Sequence, residues 1–431
     1  MGVLTEHDCR GVVCDRLKEA HDLFYSKWAP ASMSTRLDRM RDLTPLVILA
    51  IATLVYGCTS GAQPTGPGSS VASSSTPSAT SPSATSPSAT SPASAASQPA
   101  NGSISWTLVP STGLGTASVA DVIATSAGFV AVGYVNENGH TNGGIWTSSD
   151  GTTWDRVTVA ASDESFLRVA AAGSAYVAIS VHCAPGAGEC SAPSSWTSTD
   201  AKTWTEHVID SCCSINDITA TAQSVVAVGA DLSTGFPATP ADAAAFVSTD
   251  GAKWTRAKGD QTFKQASMGA VGTLGSGYAV LGTGQTSMIA WTSADGATWT
   301  GAPPSESLHT ADASDMASLP DLLVSVGRDG SEAVSWTSAD GTAWTRSAKS
   351  ASTDNAAMSK VTGAGAYLVA VGHDSTGAGA IWSSTDGLTW TRASSLPGAA
   401  SGFSAVAANE NQIVVFGSTT FGAAVLLVGA L

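Results

Sequence analysis

From residue 104 onward the apolar positions come in short runs. In one stretch these are 360–363, 367–372, 379–384 and 388–392, each bounded by Gly, Asp or Ser. Alternating or short apolar runs punctuated in this way predict β-strands. No segment there shows a helical apolar period with caps. The unit of four strands then returns. Its best marked part is Trp146-Thr-Ser-Ser-Asp-Gly-Thr-Thr-Trp154, which recurs at 196–204, 246–254, 291–299, 336–344 and 382–390. The aspartates of the six copies, Asp150, Asp200, Asp250, Asp295, Asp340 and Asp386, are 50, 50, 45, 45 and 46 residues apart. A fixed period in this range signals one supersecondary unit stacked many times.

Each residue type in the copy has a physical task. Asp-Gly between two strand patterns is a hairpin signal, because Gly takes positive φ freely and the carboxylate accepts nearby N–H groups. The Ser or Thr two residues earlier adds a hydroxyl to the same turn. The closing Trp carries a large apolar area and one donor, suited to burial between neighbouring sheets. Ala201 stands where the other copies have Gly, which predicts a strained or reshaped turn there. The pattern Ser/Thr-x-Asp-Gly-x-x-Trp resembles the Asp-box of the bacterial neuraminidase repeat, recurring in register across 104–431. The resemblance implies hairpins of a sialidase-like propeller, with a structural role for the box.

Four-stranded units repeated radially solve the problem of exposed sheet edges. After the sixth copy, 403–407, 412–417 and 423–428 supply three more strands. The fourth is found at 104–109, where Trp106-Thr107 matches Trp390-Thr391. The expected fold is all-β: a seven-bladed propeller of four-stranded blades, the last closed by the N-terminal strand in its outermost place.

Residues before 104 read differently. Residues 1–32 show no pattern, Cys9 and Cys14 lack a second pair, and the segment reads as an over-extended gene start. From Met33 or Met40, Arg36, Arg39 and Arg41 precede an apolar run, Leu46 to Val55. That run is too short for a bilayer span of about 20 residues and suits an export signal over 33–57. It ends Leu-Val-Tyr-Gly-Cys58, which resembles a bacterial lipobox and implies lipidation at Cys58. Residues 58–103 carry no charge and repeat Ser-Pro-Ser-Ala-Thr at Ser81 and Ser86. Such a composition cannot bury enough apolar surface to fold, so it reads as a lipid-anchored stalk. The expected location is the outer face of the cell membrane.

The aromatic and arginine inventory bears on activity. All twelve tryptophans of 104–431 are absorbed by the repeat, and Arg156, Arg256, Arg346 and Arg392 share one position, two after the box Trp. Only Arg168 and Arg328 are off the pattern. A sialidase of the resembled family needs three arginines around the substrate carboxylate, a Tyr nucleophile and a paired Glu. The arginines are missing, and Tyr134, Tyr176, Tyr278 and Tyr367 sit in or just after second strands. The resemblance therefore implies the fold without the activity. Of the seven glutamates of 104–431 (Glu137, Glu164, Glu189, Glu206, Glu306, Glu332, Glu410) none repeats, and several fall in Gly-, Pro- and Ser-rich loops that predict too little burial to raise a pKa.

Charges in residues 1–57 balance, so the whole net charge of −15 falls on 58–431. That argues against nucleic acid or anionic membrane as a direct partner. Cys183, Cys190, Cys212 and Cys213 predict disulfides in an exported domain, either linking two loops or within each pair; a zinc site of four thiolates is the weaker alternative. The loops between second and third strands collect unpatterned polar residues: His140, His182, Asp231, Arg328, Asp329, His373 and Asp374, with His309 ahead of the fifth repeat. They form the candidate ligand face, with no metal or other cofactor and no catalytic set assigned. The reading is a monomeric, non-catalytic binding or scaffold module for an envelope glycan or protein; the alternative is a sialidase-like glycan hydrolase or lyase with its site on that face. Replacing Cys58 by Ala should release the protein to the medium, and mass spectrometry should find an acylated Cys58 at the mature N-terminus. A mature chain that still begins at Met1 would overturn the anchor.

Overall fold

The computed structural model describes residues 104–137, 139–182, 193–209, 213–233 and 241–431. The predicted leader and stalk, 1–103, and Cys58, Cys183, Cys190 and Cys212 lie outside the described residues. Among the described residues twenty-eight strands form seven antiparallel four-stranded sheets. Six blades take four consecutive strands each. The seventh takes Phe403–Ala408, Gln412–Ser418 and Ala424–Ala430, and then Trp106–Val109 as its outermost strand. Trp106 lies opposite Gly429 and Val109 opposite Leu426. The ring closes through the strand the repeat pattern assigned to it.

The core is distributed. Seven hydrophobic clusters each draw on two adjacent blades, one cluster per junction. The third-strand aromatics Trp146, Trp196, Phe246, Trp291, Trp336 and Trp382 are buried in them. The junction between the seventh blade and the first is built like the rest. Trp154 meets Phe416 edge-on at 5.0 Å, and Ser404 Oγ donates to the Val119 carbonyl at 2.6 Å.

The box hairpins form as their residues require. In all six, one aspartate oxygen accepts two backbone N–H bonds of 2.7–2.9 Å, from the residues two and three positions on. The serine hydroxyl donates to the same oxygen at 3.0–3.2 Å. These N–H groups hold Asp150, Asp250, Asp295 and Asp340 below the usual carboxylate range. The fourth strand starts later than the apolar run 388–392 predicts. The turn extends through the box Trp, so the outer strand is two residues long in blades three to six, as at Thr391–Arg392, and three or four in blades one and two. The box Trp precedes that strand and folds inward: Trp390 Nε1 donates to the carbonyl of Gly387 and to Ser335 Oγ of the preceding blade.

Ala201 keeps the left-handed turn, with φ 58°, and both N–H bonds to Asp200, whereas the five box glycines also donate to their serine hydroxyls. Glycine matters more elsewhere. A Cβ on Gly251, at φ 70°, would stand 2.5 Å from Val177 Cγ2 of the preceding blade. Gly251→Ala should therefore destabilise the domain by roughly 2–3 kcal/mol, from left-handed strain plus overpacking. Ala201→Gly should stay within about 1 kcal/mol of the parent, since relief of strain is offset by unfolded-state entropy. Denaturant midpoints of the two variants check this asymmetry.

Candidate functional site

Each inner strand pairs with its neighbour through a one-residue bulge at one register position, skipping 120, 167, 216, 269, 314, 359 and 404. Bulges re-aim the side chains beside them. The residues that follow are Asp121, Arg168, Asp217, Ala270, Asp315, Lys360 and Ala405, from blade one to blade seven. Five of seven are charged, at the place where the strands converge on the axis. An axial cavity of about 350 Å³ is lined by Asp121, Asp217, Asp315 and Lys360, with the hydroxyls of Thr219, Ser318 and Thr362 around it.

The ring is wired blade to blade. Asp121 Oδ2 accepts from Val169 N at 3.0 Å, Asp217 Oδ2 from Val271 N at 2.9 Å, and Asp315 Oδ2 from Val361 N at 2.7 Å. Each carboxylate thus clasps the backbone of another blade. Lys360 Nζ lies 3.2 Å from Asp121 and 3.4 Å from Asp315, and Arg168 Nε lies 3.3 Å from Asp217. Burial opposes the charges of Arg168 and Lys360, yet the carboxylates outweigh it and raise both above their ordinary values. Burial pushes the Asp217 carboxyl up to about 7. Asp315 adds to that rise, while Arg168, Lys360 and the Val271 N–H oppose it.

The predicted ligand face is largely occupied by the fold itself. The arginines that follow the box Trp reach acidic residues at the ends of second strands. Arg156 meets Glu137 at 3.0 Å, Arg346 meets Asp329 at 2.7 Å, Arg392 meets Asp374 at 2.8 Å, and Arg256 meets Asp231. The Thr376 hydroxyl and Arg392 hold Asp374 well below the usual range. His140 contacts Asp163 at 2.9 Å, His182 contacts Glu164 at 3.5 Å, and Arg328 is 3.9 Å from Asp312. His309 comes within 3.6 Å of Asp329. His373 is half-buried, and that burial, with Arg328 nearby, lowers its pKa. The structure therefore brings together His309 with Asp329, and His373 with Arg328. It spreads His140, His182 and Asp231 over blades one, two and three. Among the described residues no three His, Cys, Asp or Glu side chains gather as a metal site. Of the predicted cysteine set only Cys213 is described, buried at the head of the third inner strand.

One expectation is overturned. Glu164 does not lie in an open loop: it begins an inner strand, its side chain is 8% exposed, and burial raises its pKa. One of its oxygens has no hydrogen-bond partner. Asp121, Asp217, Asp315 and Lys360 escaped notice in the sequence. The signal was there, a charge inside an apolar inner run where two other blades carry Ala.

The chain matches no protein-family model and no curated protein. Solved β-propellers do resemble it. "YCF48 bound to D1 peptide" superposes with a TM-score of 0.50 at 15% identity, covering 76% of this chain and 95% of that one. The phage phi92 endosialidase gives 0.43 at 10% identity over 76% and 69%, and a fucose-specific lectin from Aleuria aurantia gives 0.41 at 12% over 64% and 95%. At these identities the likeness establishes the fold alone. The ring makes its own prediction. Lys360→Met should leave two buried carboxylates without their cation and cost roughly 3–5 kcal/mol, on the order of 10 °C in melting temperature, measured by calorimetry.

Proposed function

We propose that the chain is a non-catalytic binding module of the cell envelope, anchored through Cys58 and carried outward by residues 58–103. The observation behind this reading is the axial cavity. It is concave, lined by six of the seven blades, and presents fixed charges of both signs beside hydroxyls, which suits a polar partner that is held rather than transformed. Its carboxylates already accept backbone N–H groups and face cations of the fold, a structural duty at odds with a free general base. A protein or glycan partner fits this surface. The propeller with the TM-score of 0.50 is described as bound to a D1 peptide, an instance of the fold serving as a peptide binder.

A second reading, an exported sialidase-like glycan hydrolase or lyase, draws on Glu164. A buried carboxyl with raised pKa, a His182 ring 3.5 Å away and Glu206 nearby is the kind of environment that keeps a general acid protonated.

Purified 104–431 should gain stability from cell-wall glycan fragments or an envelope protein extract fractionated on the immobilised domain. Saturation at 100 times the dissociation constant gives about 2.7 kcal/mol. Asp315→Asn, which alters the cavity wall, should weaken that gain. Turnover of sialosides or aryl glycosides that disappears in Glu164→Gln would replace the binding module with the enzyme.

A further inference from the structure

The axial cavity has a direction. Its lining residues begin at the ring, or one place after it, and run on along the inner strands, as at 121–124, 217–219, 315–318 and 360–363. The charged ring is therefore the floor. Each inner strand leads into the first turn of its blade, and that turn lies beside the box hairpin: Phe129 pairs with Ser148, and Tyr278 with Ser293. The mouth thus opens on the box face, opposite the loops that carry His140, His182, Arg328 and His373. A second recess, of about 590 Å³, opens on the same face between the turns of blades four and five, with Asp295 and Asp340 on its walls.

Charge separates the two faces as well. On the loop face Glu137, Asp231, Asp329 and Asp374 are answered by arginines. On the box face the six box aspartates are exposed, and among the described residues none of them enters an ion pair. The turns there add Asp321 and Glu410, against the cations Lys202 and Lys253. Below the mouth, one ammonium, Lys360, is shared by two carboxylates, Asp121 and Asp315, so that side of the floor is negative too. A cleft lined by one sign of charge concentrates the opposite sign. We propose that the partner docks on the box face and is a basic protein segment, which lowers a lysine or arginine side chain into the axial cavity toward Asp121 and Asp315. Such docking presupposes the binding module described above and gives it a face and a ligand charge. Depth favours a flexible chain. Four strand residues separate the ring from most of the turns, about 13 Å at 3.3 Å per residue, and the volume of about 350 Å³ is at the small end for a binding pocket. A loop or terminus that carries its cation on a long aliphatic stem fits that shape, with the hydroxyls of Thr219 and Thr362 beside its path.

The test is binding of a fluorescent Gly-Lys repeat peptide to the purified protein, with the lysine-acetylated peptide as control. The lysine peptide should bind and the acetylated one should not. Affinity should fall at least about tenfold between about 0.1 and 1 M salt, as the Debye length drops from about 10 to 3 Å. Asp321→Lys with Glu410→Lys, both exposed and outside the box and ring bonds, should weaken binding at least about tenfold. Glu306→Lys with Asp312→Lys makes the same change of net charge on the loop face and should leave affinity within about twofold. Thr362→Trp fills the cavity without altering charge and should also cost at least about tenfold; Thr219→Met takes its place if that variant does not fold. Equal losses from the two charge pairs would overturn the docking face. Unchanged affinity in the filled cavity would overturn the insertion, and tighter binding of a chitosan oligomer of equal charge would overturn the peptide. A parent that ignores the peptide yet is stabilised by wall fragments or envelope extract loses this partner and keeps the binding reading. A parent stabilised by none of them loses both.

Discussion

The fold rests on a carboxylate that satisfies backbone donors. A two-strand ribbon by itself is marginal in water, and its turn leaves N–H groups without partners. In each box one aspartate oxygen takes two of them and a serine hydroxyl, which closes the hairpin with bonds of its own. The same turn aims the box Trp back against its own carbonyl and, in blades three and six, against a serine of the preceding blade. The glycine lets the hairpin approach that blade closely: a Cβ at Gly387 would come within 2.9 Å of Thr337. One local motif therefore makes the unit and mates it to the next.

Two polar systems complete the ring at different radii. Near the ends of the second strands, arginines pair with Glu137, Asp231, Asp329 and Asp374. These pairs are partly exposed, and pairs of that kind contribute about 0–1 kcal/mol each; their larger effect is to orient the hairpins that carry the loops. At the axis the charges are buried and tied to backbone N–H groups of other blades. There the loss of one partner strands the rest, so the ring is demanding in a way that the outer pairs are not.

The architecture was legible because it is written locally. Asp-Gly and Trp at fixed offsets mark each hairpin, the period counts the units, and Trp106-Thr107 identifies its place in the last blade by simple likeness. The site was less legible because it depends on register. Asp231, Asp329 and Asp374 look like free loop acids until the sheet brings Arg256, Arg346 and Arg392, 17–25 residues later, beside them. Glu164 looked exposed because its neighbours are small and polar, yet it faces His182 across the first rung of a ladder. The axial ring needed the bulges, which shift each inner strand by one residue and cannot be seen in a period.

Closure by Trp106–Val109 also has a mechanical side. That strand is held by a four-residue ladder against Ala424–Ala430 and is joined directly to the residues before 104. Any tension transmitted through those residues falls first on this ladder, at the periphery and away from the axis. The ring's latch is thus also the strand that continues into the preceding residues. A pull strong enough to peel it would uncover an unpaired edge on blade seven while the other six blades kept their own four consecutive strands.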